Sequence, residues 1–213
     1  MNTEKMTIHK ALVELKTLDD RINKAIEGSR FVVANKHSNQ KYFGITVAEQ
    51  CELMKSNYQK ATDLIKRRNA IKRAVVLSNA VTKVTIGGVE YTVAEAIEMK
   101  NHGMEYKVDL FKHIGREYAN ATREIDANNG DKLEAKADAY ITTLYGNSDM
   151  KNLSEEVQKV RRDFIVAQTY ELLDPIGVET VLDTLEKEVN DFMVDVDSAL
   201  SVSNALTEIE ISY

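Results

Sequence analysis

A chain of 213 residues, 43% apolar and 29% charged, has material for one sizeable core or two smaller bodies. Its formal charge of −6 argues against a nucleic-acid binder, since such proteins need positive surface to displace counterions. A single cysteine, Cys51, excludes an internal disulfide, and a single proline, Pro175, leaves room for long uninterrupted helices.

In chain order, the polar start "MNTEKMTIHK" carries no secretory pattern. Nor does any apolar run approach the roughly 20 residues of a membrane span, so a cytoplasmic setting without membrane association is expected. Ile8, Leu12, Leu15, Leu18, Ile22 and Ala25 recur at helical steps, predicting a helix over 7–27 that stops at Gly28. Two extended segments, 31–34 and 41–45, are expected to pair across the polar tract "NKHSNQ". Thr46 and Glu49 form a capping box that opens a second helix, reaching about residue 77. Its expected core stripe is Val47, Cys51, Met54, Tyr58, Ala61 and Ile65, which makes Cys51 a core residue.

The stretch "SNAVTKVTIGGVEYTVAE" then predicts a β-hairpin. Val84 and Ile86 alternate with polar residues, Gly87-Gly88 suit a two-residue turn, and Thr92 with Glu95 restart a helix. That helix runs to about residue 125, with a break near Gly103. "NNGD" and "GNSD" punctuate the C-terminal part, with helices over 132–145, 154–173 and 178–202 and a closing strand at 205–211.

The chain echoes itself twice. "ITVAEQCELMK" matches "YTVAEAIEMK", and "SNAVTKVTI" at 78–86 matches "SNALTEIEI" at 203–211. The second echo suggests that the C-terminal strand joins the hairpin as a third strand, with Lys83 and Glu208 at equivalent places. Residues 55–73 carry seven basic groups and one acid, whereas 174–213 carry ten acids and one base. The basic helix either pairs with this acidic end or offers an anion site.

Asn79, Thr82, Val84, Gly87, Gly88, Tyr91, Thr92, Ala94, Glu95, Ala96 and Ile97 carry a resemblance. The segment resembles a functionally uncharacterised family of small helical proteins from bacteria and their phages. "DVDSALSVSNALTEIEI" also looks phage-like. The resemblance implies an antiparallel helix pair joined by a small hairpin, often self-associating. It carries over no catalytic residue.

The fold class expected is mostly α, with long antiparallel helices and a small antiparallel sheet made of hairpin 80–92 and strand 205–211. Residues 1–127 form the helical and β-hairpins, and 128–213 pack back on them. No phosphate loop, G-x-S-x-G, cysteine pair or H-E-x-x-H is present, and His9, His37, His102 and His113 are scattered. Glu95, Glu98 and His102 share a helical face, but that pattern fits an exposed charged face better than a metal site. No cofactor, metal or catalytic residue is assigned.

Arg67, Arg68, Lys72 and Arg73 are the candidate phosphate-binding groups, with Asn79, Thr82 and Tyr91 adding polar and stacking contacts. The expected function is non-catalytic sequestration of a small anionic ligand, such as a nucleotide immune signal, by a homo-oligomer. The alternative is a virion structural or assembly protein that works through helix packing.

Overall fold

A computed structural model of the chain describes residues 3–146, 150 and 152–213. Most of the expected "GNSD" punctuation, residues 147–149, lies outside the described residues, as do Met1 and Asn2. In order, the elements are β1 (Thr3–Thr7), α1 (Ile8–Glu27), β2 (Lys41–Tyr42), β3 (Ile45–Thr46), α2 (Val47–Val81), β4 (Lys83–Ile86) and β5 (Val89–Thr92). Next come α3 (Val93–Glu98), a π-helical turn (Met99–Gly103), α4 (Met104–Asn128), α5 (Asp131–Tyr145), α6 (Glu155–Gln168), α7 (Val178–Leu206) and β6 (Glu208–Ser212). The protein is mostly helical with small antiparallel sheets. Its contacts divide it into one unit of Met1–Gly103 with Asp191–Tyr213 and another of Met104–Asn190.

In the first unit, α1 packs on α2 with Ile8, Ala11, Leu18, Ile71 and Val75 buried between them. Met6 of β1 and Ile209 and Ile211 of β6 close the same core. Ile209 and Ile211 alternate with glutamates along β6, which turns both inward, and Met6 is the inward apolar residue of β1. Val84, Ile86, Val93 and Ala96 are also buried in this unit, as are Phe192 and Val196 on α7.

One local arrangement occurs three times. A strand ends in a threonine with φ near −70° and ψ near 155°, which caps the following helix (Thr7, Thr46 and Thr92). Each hydroxyl accepts from the third helical amide at 3.2 Å. The first helical amide then donates back to the residue before the partner strand: Ile8 to Thr207, Val47 to Gln40 and Val93 to Thr82. Every one of these helix starts therefore finds acceptors for two amides that would otherwise lack them. Thr46 and Thr92 gain full capping boxes with Glu49 and Glu95, whose carboxyls are held below their ordinary range by the threonine amide and hydroxyl.

The echo at 78–86 and 203–211 occupies equivalent places: Thr82 and Thr207 each end a long helix by donating to Ser78 and Ser203. The pairing expected from it is overturned. β6 does not join the hairpin; it pairs antiparallel with β1, Glu208 opposite Thr7 and Ser212 opposite Thr3. The β4–β5 hairpin is a two-stranded sheet of its own, stabilised by α3 and by Tyr91 against Phe192. The expected pairing of 31–34 with 41–45 also fails. The hairpin is Lys41–Tyr42 with Ile45–Thr46, turning at Phe43-Gly44, both of positive φ. Cys51 is exposed, because α2 buries the adjacent face that bears Gln50, Ala61, Ile71 and Val75.

In the second unit, α5 and α6 pack together through Leu133, Ala137 and Ile141, with Tyr140 stacked on Phe164 at 4.5 Å. Arg161 binds Asp138 at 2.7 Å across this pair. Helix α6 stops at Gln168, short of the expected 173. The Asn129 side chain takes both the amide and the carbonyl of Tyr170, at 2.9 Å each, which turns that backbone away from helical bonding.

Candidate functional site

The candidate residues lie on and after α2, and the structure divides them. Arg67 points to the α1 side. Its side chain is 19% exposed, and four of its five guanidinium N–H groups are engaged. Nε and Nη2 donate to the Glu14 carboxylate, Nη2 also donates to Glu4 at 2.9 Å, and Nη1 donates to the Tyr213 hydroxyl. The guanidinium carbon lies 4.8 Å from the Tyr213 ring centroid. The bonds to Glu14, and then to Glu4, push Arg67 further above its ordinary range. In return the Arg67 bond holds the Glu4 carboxyl below its own. A planar fork between two carboxylates is a matched set of charges; it leaves one Nη1 hydrogen for any other acceptor.

Arg68 donates to Asp19 at 2.8 Å. The basic run therefore pairs with α1 and β1. Among the described residues no ion pair joins the basic run to the acids of 191–213 in the same unit; there Asp197 pairs with Lys100 and Glu210 with Lys5. Lys83 binds Glu90 on the neighbouring strand at 2.6 Å, which raises its pKa. Lys72 and Arg73 are exposed and belong to no ion pair among the described residues. Asn79 is half-buried near the end of α2. Tyr91 is half-buried, edge-on to Phe192 with centroids 5.7 Å apart.

Thr82 borders a groove, beside β4, of about 530 Å³. Thr82, Lys83 and Thr85 line one side; Asp195, Ser198, Ser203 and Thr207 supply polar groups, and Val202 and Leu206 apolar ones. Asp195 also accepts from the Gly87 amide at 3.3 Å. The α7 and Thr207 side of this groove was missed by sequence reasoning. The echo contained its signal, since Ser203 and Thr207 stand where Ser78 and Thr82 stand.

Among the described residues no three His, Cys, Asp or Glu side chains are placed to hold a metal. At Glu95, Glu98 and His102 the π-helical turn changes the angular step between residues, and Glu95 is committed to its capping box. Nor is any helix among them long and apolar enough to cross a membrane.

A surface of different character runs along α2. Cys51, Tyr58 and Ile65 are exposed one heptad apart, and Val76 falls on the same face. Tyr58 is 62% exposed. This stripe lies beside the seam that α2 shares with α1. No family model, curated protein or solved structure matches the chain.

Proposed function

We propose that this is a non-catalytic assembly protein that works through helix packing between copies of itself. The observation that carries this reading is the division of α2 into two apolar faces. One is filled by α1, and the other, with Cys51, Tyr58 and Ile65 at heptad spacing and Val76 on the same face, is left open. An exposed apolar stripe of that kind is what a second helix covers, and a two-fold pairing needs only one such stripe per copy. The cations best suited to phosphate, Arg67 and Arg68, are already neutralised by Glu4, Glu14 and Asp19, which lowers the attraction of this helix for an anion.

Sedimentation velocity over a range of concentrations tests the reading. Dimers or larger species are expected, with Tyr58→Glu/Ile65→Glu shifting them to monomer while circular dichroism is unchanged. A wild-type chain that stays monomeric throughout would refute it. The groove beside β4 supports a second reading, capture of a small anionic ligand, since hydroxyls and Lys83 line it. Calorimetry against a panel of cyclic nucleotides separates the two: tight binding lost in Thr82→Val/Ser203→Ala favours capture, and silence favours assembly.

A further inference from the structure

Residues 28–46 hold Arg30, Lys36 and Lys41 and no acid, in a chain of net charge −6. Lys36 and Lys41 are exposed, as are Val32 at 86% and Phe43 at 78%. Phe43 occupies the first turn position of β2–β3 with φ +47°, a left-handed conformation costly for a bulky side chain. The equivalent position in β4–β5 is Gly87. A strained phenylalanine at a tip facing solvent fills no core. Its ring is instead fixed in place: Tyr42 meets it edge-on at 4.9 Å, and the Arg30 guanidinium sits 4.8 Å from its centroid while donating to the Tyr42 hydroxyl. Rigid aromatic and arginine anchors, set before a partner arrives, are the usual makings of an interface hot spot.

We propose that this loop docks on the outer face of α7 in a second copy of this chain. The proposal rests on the assembly reading above and adds a second, different contact. The complement is present on the chain itself. Val194, 78% exposed, and Met193, 48% exposed, lie on the part of α7 away from Phe192 and Val196, with exposed Asp191 and Asp195 on the same segment; Asp197 is already held by Lys100. Phe43 and Val32 meet Met193 and Val194, while Lys36 and Lys41 meet the aspartates. The joined patches are unlike, so the contact is heterologous and repeats from copy to copy; the α2 stripe pairs like with like. Together they extend a dimer into a larger assembly.

Self-association of the full chain, followed by sedimentation in low and high salt, tests this. Phe43→Gly and Lys36→Glu/Lys41→Glu are each expected to weaken the salt-sensitive step at least about tenfold. Phe43→Gly relieves the turn, so its thermal stability should hold and exclude misfolding as the cause. Mixing Lys36→Glu/Lys41→Glu with Val194→Lys/Asp191→Lys should restore association that neither shows alone. Unchanged association in the first two variants would overturn the proposal while leaving the α2 reading intact. The converse, assembly lost in the loop variants and kept in Tyr58→Glu, would support the loop contact and remove the α2 stripe. Phe43-dependent binding to phosphatidylserine vesicles without self-association would also overturn it, assigning the loop to a lipid surface.

Discussion

The β4–β5 and β1–β6 pairs are built alike and closed differently. Each contains a strand that comes after a helix ended by a Ser-Asn-Ala-x-Thr sequence, and each leads into a helix capped by threonine. In β4–β5 the two strands are joined by Gly87-Gly88, a turn in the covalent chain. In β1–β6 the strands come from opposite ends of the sequence, and no local turn connects them. There Arg67 takes over: it holds Glu4 on β1 and Tyr213 just after β6, while gripping Glu14 on α1. Bringing distant segments together costs more chain entropy than closing a two-residue loop, so the open pair needs a clamp that the closed pair does not. The residue best suited to a phosphate turns out to be a fastener.

Removing the clamp should separate the two pairs most. Arg67→Met leaves Glu14 without a cation and Glu4 with Lys10 alone, 3.5 Å away. A fully buried pair broken this way loses about 3–5 kcal/mol, and partial exposure brings the expected loss to about 2–3 kcal/mol. Denaturant unfolding would measure it. Loading the closed pair comes next. A Cβ on Gly87 would lie 3.1 Å from the Asp191 Cβ, at φ +56°. Gly87→Ala should cost about 1–3 kcal/mol, whereas Phe43→Gly, at the open tip of β2–β3, should be neutral or stabilising by calorimetry.

The shared part of the design gives a smaller effect. Thr92→Ala removes one cap and should lower stability by about 1 kcal/mol, with Thr46→Ala matching it. Acidity gives the smallest. Glu4 has a folded pKa below its unfolded one, so its contribution is full above the unfolded value and is lost as pH falls through the folded value. Thermal melts at falling pH should therefore weaken the wild type more than Arg67→Met, in which Glu4 has lost its main partner and keeps only Lys10. Parallel curves for the two proteins would contradict the clamp.

What was legible in the sequence was local. Thr46 with Glu49, Thr92 with Glu95 and the Gly87-Gly88 turn each depend on residues within a few positions, and all three stand as expected. The partner of β6 was not legible, because β1 shows a single inward apolar residue, Met6, among polar neighbours. Helix α2 misled in another way. It is apolar on two adjacent faces, and periodicity picks out Cys51, Tyr58 and Ile65 as readily as Gln50, Ala61 and Ile71. Only the arrival of α1 decides which face is buried. The partners of Arg67 were hidden for the same reason, since Glu4, Glu14 and Tyr213 are all remote from it in sequence.

Amide hydrogen exchange of Arg67→Met, read strand by strand, tests the clamp most directly. Faster exchange in β1 and β6, with β4 and β5 unchanged from wild type, is the predicted result. Equal protection of β1 and β6 in the variant and the wild type would contradict the account and return Arg67 to the groups free to bind an anion.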